Sequence, residues 1–379
     1  MTRPTRSRAA RGILPFLTIV GSLLTLSTAH ATKYAGDFLK APVGARAIGM
    51  GGAFTAVADD ATAPYWNPAG MIFLPYKEVI PQHAEKFGSL ENQDYIGGVL
   101  PLGDGASRNS SRQAAIGFGI VRLAVDDIPV TPRPGDLKFG QFLDYGVDGI
   151  DKTFDYGEGD GKWEPGERIL DINLFRASSS QIAELLSYAR HYGPHLAFGG
   201  NLKFIQQSLP DTIPGRHVKS FGAGIDAGML YMATDAVTVG VVVHDLTTTF
   251  LTWGNGVRER IDPTMDSGVA FNFYPADKNA LTWAIDVGWG FDHMPDTELR
   301  VGAVTADVRT GLEYWYKNTF ALRSGLNGKD LTFGAGVRYK HVGVDYALDL
   351  HRFFAAGQSD FPSSSDLDAT HLVSASYSW

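Results

Sequence analysis

The chain has 379 residues, no cysteine and a formal net charge of −8 at pH 7. An acidic balance argues against nucleic acid as a partner, and the lack of cysteine excludes disulfides, thiolate metal sites and cysteine nucleophiles. The 44 glycines, together with 12% aromatic residues, favour a sheet whose strands curve and pack closely over a pair of soluble enzyme domains.

The first 31 residues have the three parts of a secretory signal peptide. An apolar run, 13–26, is followed by the sequence Ala29-His30-Ala31. The residues before the run contain no acidic side chain. They contain four basic ones, Arg3, Arg6, Arg8 and Arg11. The run contains Pro15 and is shorter than the ~20 apolar residues that a membrane anchor needs. Cleavage after Ala31 is therefore predicted, and no later run is long enough to cross a bilayer as a helix.

Residues 44–71 read GARAIGMGGAFTAVADDATAPYWNPAGM. They combine many small residues with the pair Asp59-Asp60 and the turn sequence Asn67-Pro68-Ala69-Gly70. This segment resembles the N-terminal signature of the PorV/PorQ family of outer-membrane proteins, a branch of the FadL-like barrels. The resemblance implies a β-barrel of the bacterial outer membrane in which residues 32–75 form a small plug inside the lumen.

The polar residues of this signature are interpreted as structural rather than catalytic. No candidate nucleophile or histidine accompanies Asp59 and Asp60, and adjacent carboxylates point in different directions in most backbones. We expect the pair to cap a short turn or to bind lumen-facing bases. Asn67 can bond its own backbone two residues on, Pro68 fixes φ and Gly70 tolerates a positive φ. The lumen-facing bases that could bind Asp59 and Asp60 are Arg309, Arg323 and Arg338.

Alternation with a period of two recurs from about residue 77 to the last residue. In 221–231 and in 281–291 the odd positions are mostly large and apolar, whereas the even positions are mainly small or charged. A soluble β-sandwich would also alternate. Aromatic residues near the strand ends of the apolar face, and glycine with charge on the other face, favour a membrane barrel with interfacial girdles. The chain also ends on an aromatic residue, Trp379, which resembles the terminal strand signal of outer-membrane barrels.

The alternating runs number about 14, an even number as in bacterial barrels. The fold predicted is therefore all-β: a transmembrane antiparallel barrel formed by residues 76–379, with the plug inside it. The run 171–191 could be one hairpin or two strands. Short turns at 233–235 and 327–328 are expected on one rim, and the longer inserts 126–170, 248–263 and 353–368 on the other.

The insert 126–170 contains a dense acidic stretch, DYGVDGIDKTFDYGEGDGKWEPGE, at 144–167. Carboxylate oxygens at short spacing, with glycines that let the backbone wrap, suit a Ca²⁺ site. The match to an EF-hand loop is partial, because Tyr156 stands where the first aspartate belongs. A solvated acidic loop is the alternative. The candidate calcium ligands are Asp155, Glu158, Asp160 and Glu167.

The sequence contains no G-x-S-x-G elbow and no complete phosphate loop, so an enzyme is not predicted. The resemblance implies two functions. In the first, the barrel handles hydrophobic small molecules across the outer membrane. In the second, it is a non-conducting partner or shuttle protein of a type IX secretion apparatus. Outer-membrane lipid is a partner in both, and calcium is the only cofactor considered.

Overall fold

The computed structural model describes residues 35–86, 90–102, 114–130, 137, 140–170, 175–210, 217–291, 299–302, 304–351 and 368–379. The predicted signal peptide and nearly all of the rim insert predicted at 353–368 lie outside these ranges. Cleavage after Ala31 therefore stays a prediction.

Seventeen strands occur in the described ranges. In chain order they are β1 (Glu78–Lys86), β2 (Glu91–Leu102), β3 (Ala114–Val130), β4 (Phe175–His191), β5 (Leu196–Pro210), β6 (His217–Thr234), β7 (Val237–His244), β8 (Thr249–Trp253), β9 (Arg258–Ile261), β10 (Thr264–Ala276), β11 (Asn279–Gly290), β12 (Leu299–Val301), β13 (Val304–Tyr316), β14 (Phe320–Asn327), β15 (Asp330–Tyr339), β16 (Val342–His351) and β17 (Asp368–Ser378).

Fourteen of these strands form one closed antiparallel barrel, which confirms the predicted fold class and strand number. Successive strands pair with each other, except that β7 pairs with β10 and β11 pairs with β13. Pairing of β1 with β17 closes the barrel. The remaining three strands are additions to the wall: β8 pairs with β6, β9 with β8, and β12 with β13.

Two strand assignments differ from those predicted from the sequence. The run 171–191 contains a single long strand, β4, because it pairs continuously with β5 from Ser180 to His191. The insert 248–263, predicted as rim, contains the short hairpin β8–β9, which extends the wall beside β6.

The connections differ in length at the two ends of the barrel. The strand ends that flank the connections 131–174, 245–263 and 352–367 lie at one end of the barrel, here called the long-loop rim. Tight turns such as 235–236 and 340–341 lie at the other end, the short-turn rim, where β1 begins beside the end of β17. The turn 327–328 was predicted to lie on the short-turn rim. It lies on the long-loop rim instead, because β14 runs toward that end.

The outer face of the barrel is apolar and the inner face is small or polar. In β6, Ile225 is 40% exposed, whereas its neighbour Asp226 is 2% exposed and faces the lumen. Exposed aromatic residues such as Tyr231, Trp283 and Tyr339 stand on the same outer face. A closed barrel with this surface is solvated by lipid, as the alternation predicted.

Residues 35–74 lie inside the barrel as a compact segment, here called the plug. Its helical pieces are a 3₁₀ turn (Asp37–Lys40), α1 (Ala45–Gly49), α2 (Ala63–Trp66) and a second 3₁₀ turn (Pro68–Phe73). No helix in the ranges described is both long and apolar enough to cross a membrane. Phe54, Met50 and Met71 are fully buried against lumen-facing alanines of the strands, among them Ala115, Ala189, Ala197, Ala270 and Ala284.

Because the outer face of β6 is apolar and lies in lipid, a charge placed on that face should lower the stability of the barrel. Ile225→Arg places a guanidinium in lipid near the middle of the strand, and we expect it to lower the free energy of unfolding by ~2–4 kcal/mol. The measurement is a urea titration of the protein refolded in lipid vesicles. Ile225→Leu is the control and should differ little from the parent. Equal stability of the arginine and leucine variants would contradict an outward Ile225.

Candidate functional site

The plug approaches the barrel wall most closely where the strands carry glycine. A Cβ atom at Gly199 of β5 would overlap the backbone of Pro68 and Ala69, and one at Gly228 of β6 would overlap the Asn67 side chain. Other wall glycines meet plug backbone in the same way: Gly97, Gly240, Gly311 and Gly325. Glycine on the inner face is thus needed for backbone-to-backbone packing as well as for strand curvature.

The turn predicted at residues 67–70 is present and is fastened to the wall. The Asn67 side chain accepts a hydrogen bond from Ala69 N at 3.1 Å, as expected for this turn, and Pro68 begins the second 3₁₀ turn. Asn67 Nδ2 also donates to Thr55 O at 3.0 Å and to Met229 O of β6 at 3.2 Å. Gly70 does not take a positive φ; it is needed because a Cβ there would overlap Ala58 O.

The aspartate pair of the plug binds an arginine that the sequence analysis did not single out. Arg46 of α1 donates through Nη1 to Asp59 at 2.5 Å and to Asp60 at 3.2 Å. Asp60 also caps the following turn, since its Oδ1 accepts from Thr62 N at 2.8 Å. Asp60 therefore caps a turn, and the cation that both aspartates bind lies on the plug itself.

The three wall arginines considered as partners bind elsewhere. Arg323 donates to Glu313 at 2.7 Å and to Asp345 at 2.7 Å, and Arg309 donates to Asp266. The guanidinium of Arg338 lies 4.5 Å from the ring centre of Trp315. Each contacts a group on the adjacent strand or on the next strand but one, so these partners are set by the order and register of the strands.

Arg46 also joins the plug to the wall. Its Nε and Nη2 donate to the two oxygens of Glu313 on β13, each at 2.8 Å, which is the bidentate geometry of strong charged hydrogen bonds. Burial alone would lower the pKa of the Arg46 guanidinium, but the carboxylates of Asp59 and Glu313 raise it well above its usual range. Arg46 thus stays charged and its carboxylate partners lie on both plug and wall.

A second fastening uses the plug backbone. The Asp286 carboxylate of β11 accepts hydrogen bonds from Phe54 N at 2.9 Å and Thr55 N at 2.8 Å. Glu78 of β1 accepts from Ala61 N at 2.8 Å. These contacts lie on different sides of the barrel, so the plug is held from several directions.

The plug separates two cavities. The upper cavity, about 320 Å³, is lined by plug residues and by the ends of strands at the long-loop rim. Its apolar lining includes Leu39, Tyr65, Trp66 and Ile261. The lower cavity, about 360 Å³, lies toward the short-turn rim and is lined by Arg46, Asp59, Phe73, His191 and Met232, among others.

Several charges around the upper cavity are paired with each other. Lys203 lies 3.0 Å from Asp226 and 2.8 Å from Asp245. Asp266 binds Arg309 and lies 3.5 Å from His244. Lys203 and Arg309 are thus each held by carboxylates, and a ligand without net charge can lie beside the apolar lining.

The four candidate calcium ligands lie in the acidic insert and bind mainly backbone amides. Glu167 is buried, and its oxygens accept from Gly146 N and Glu164 N, both at 2.9 Å. Glu158 accepts from the amides of Lys152 and Phe154. Asp155 accepts from Asp148 N at 2.9 Å, and Asp160 from Lys162 N at 2.7 Å. The carboxylates of the insert thus accept hydrogen bonds from backbone amides of the same insert. Calcium binding there stays a prediction.

Calcium binding by the insert has a direct test. If Asp155, Glu158, Asp160 and Glu167 take part, titration of the purified protein with Ca²⁺ should release or absorb heat, and the double variant Asp160→Asn, Glu167→Gln should lose that signal. Asp126→Asn, outside the dense acidic stretch, is the control and should keep it. Equal heat in the parent and the double variant, or none in either, would leave the insert as a charged loop.

Comparison with known proteins places the fold. No protein-family model matches the chain, and no curated protein does. Among solved structures, the CymD monoaromatic hydrocarbon channel is 14% identical, with a TM-score of 0.53 over 89% of this chain and 97% of that chain. The toluene transporter TbuX of Ralstonia pickettii is 13% identical, with a TM-score of 0.51 over 89% and 98%.

A deltaS2S3 mutant of the TodX monoaromatic hydrocarbon channel gives the same result, with 13% identity and a TM-score of 0.50 over 89% of this chain and 98% of that chain. At such low identity the likeness establishes the fold alone. The chain therefore shares the closed 14-stranded barrel fold of these proteins, and it is placed in the bacterial outer membrane, as predicted.

Proposed function

We propose that this barrel lets small hydrophobic molecules cross the outer membrane, as the FadL-like resemblance implied. The observation that carries the proposal is the upper cavity. Its volume, about 320 Å³, falls in the range of roughly 300–1,000 Å³ that is usual for small-molecule sites. Its lining combines apolar side chains with charged ones, among which Lys203 and Arg309 are paired with carboxylates. The proteins of similar fold are described as hydrocarbon channels or transporters, which supports the same substrate class here.

The position of the cavity suits entry from the long-loop rim. Phe38 anchors the first 3₁₀ turn of the plug against Leu123, Ala183, Ile205 and Leu251 of the wall. This turn brings Leu39 to the cavity lining. A ligand in the cavity would therefore contact plug and wall together, and a shift of the plug would be needed for it to reach the lower cavity.

Ligand binding tests this proposal. We expect the purified barrel to bind toluene or oleate, measured by quenching of tryptophan fluorescence, and we expect Leu39→Asp to weaken binding at least ~10-fold, because it places a carboxylate in the apolar lining. Phe73→Asp makes the same change in the lower cavity and is the matched control. Absence of binding by the parent protein, or equal weakening by both variants, would contradict a site in the upper cavity.

A PorV-like role as a non-conducting secretion partner is the second candidate. The sequence of residues 44–71 supports it, since that segment resembles the PorV/PorQ signature, and so does the plug, which is fastened from several sides. A secretion partner needs an exposed rim rather than a ligand path. Trimming 126–170 or 248–263 would then abolish its function, while the Leu39→Asp variant would remain active.

A further inference from the structure

Three potential metal ligands meet on the long-loop rim, away from the acidic insert. Asp330 begins β15, and Asp349 and His351 lie at the end of β16, where residue Leu331 pairs with Leu350. One ligand atom from each of the three side chains lies within 4.8 Å of the other two. Among the residues that the structure describes, this is the one group of three or more such side chains with that spacing.

The imidazole lies between the two carboxylates. His351 Nδ1 is 3.3 Å from Asp330 Oδ2, and His351 Nε2 is 3.8 Å from Asp349 Oδ2. His351 Nε2 is also 3.0 Å from Thr370 Oγ1 of β17. The side chains of the cluster therefore come from three adjacent strands, β15, β16 and β17. Sites built on strands hold their ligand side chains more precisely than sites on loops.

The second observation is an oxygen of Asp349 that has no partner. Asp349 is 93% buried, as its relative exposure is 7%, and its Oδ1 makes no hydrogen bond in the part of the chain described. Lys86 is near enough to act on this carboxylate through space, but no ion pair joins the two side chains. A buried carboxylate oxygen without a hydrogen-bond donor is costly, so a ligand for it is expected.

We propose that Asp330, Asp349 and His351 bind a divalent transition-metal ion of the zinc class. One imidazole nitrogen with two carboxylate oxygens is a donor set that suits zinc, whereas calcium and magnesium prefer oxygen ligands alone. Three protein ligands leave room for water, and Thr370 stands beside the imidazole as a hydrogen-bond partner. Since Asp349 also lines the upper cavity, the ion would lie at the edge of that cavity and link β15 to β16.

Zinc titration of the full-length barrel in detergent tests the site. We expect one Zn²⁺ per chain in the parent, and binding at least ~10-fold weaker in Asp349→Asn and in His351→Ala, since even supporting partners of metal ligands change affinity 10–100-fold. Ca²⁺ and Mg²⁺ at the same concentration should not compete. His341→Ala removes a histidine at the short-turn rim, where His341 Nδ1 lies 2.7 Å from Ser378 O, and should bind zinc like the parent.

The variants are compared only as folded barrels, identified by the shift of unheated samples in gel electrophoresis. If one of the two fails to fold, the other, together with Asp330→Asn, carries the test. No zinc binding by the folded parent, undiminished binding in Asp349→Asn and His351→Ala, or an equal loss in His341→Ala would overturn the proposal. The test does not depend on transport, so it stands or falls separately from the proposed function.

Discussion

Deletion of residues 32–70 is expected to turn a silent barrel into a conducting one. The plug fills the middle of the lumen, and plug residues such as Met50, Phe54 and Met71 are fully buried there. Without it, the inner face consists of glycine, alanine and charged side chains such as Asp286 and Glu313, and polar lumens of this kind hold water. Planar-bilayer recordings should show stepwise currents for the deletion variant and none for the parent.

The control for this experiment is the pair of neighbouring glycines on β5. Gly199→Ala pushes into Pro68 and Ala69, whereas a Cβ at Gly200 meets only Asp226 O, at 3.2 Å. We therefore expect occasional currents from Gly199→Ala as the plug loosens, and none from Gly200→Ala. A folded deletion variant that stays silent would show that the lumen is closed by something other than the plug.

Replacing Arg46 by methionine should release the plug from the wall. The substitution leaves the buried Asp60 without its cation and removes two of the three charged hydrogen bonds to Glu313. Removing one partner of a buried ion pair costs about 3–5 kcal/mol, because an uncompensated charge remains. We expect faster hydrogen exchange of the plug amides with little change in the strands, measured by mass spectrometry.

The comparison variant is Lys40→Met. Lys40 forms an ion pair with Asp37 at 2.8 Å, but its side chain is 58% exposed, and exposed pairs contribute little to stability. Exchange in the plug should therefore remain near that of the parent protein. Equal protection in the Arg46 and Lys40 variants would mean that backbone packing alone holds the plug.

Much of the barrel was predictable because each strand has one face in lipid and one in the lumen. That requirement imposes a period of two on the sequence, and runs such as 221–231 and 281–291 display it directly. The short strands β8 and β9 were missed. They contain only five and four residues, which is too few for alternation to be distinguished from a polar loop.

The site was predictable only in its local parts. The turn at Asn67 depends on neighbouring residues, and so it was found. The role of Arg46 depends on Glu313, which is 267 positions away, and no local pattern signals such a partner. The same holds for the upper cavity and for the cluster around Asp349, since strand register brings their residues together.

Uptake by living cells tests the central claim most directly. A Gram-negative host without its own fatty-acid and hydrocarbon channels, expressing this barrel, should take up radiolabelled oleate or toluene faster than the empty host. Cells with the same amount of folded Leu39→Asp barrel should be no faster than the empty host. Uptake of both compounds at the empty-host rate, with the parent barrel folded in the outer membrane, would contradict a channel for hydrophobic molecules.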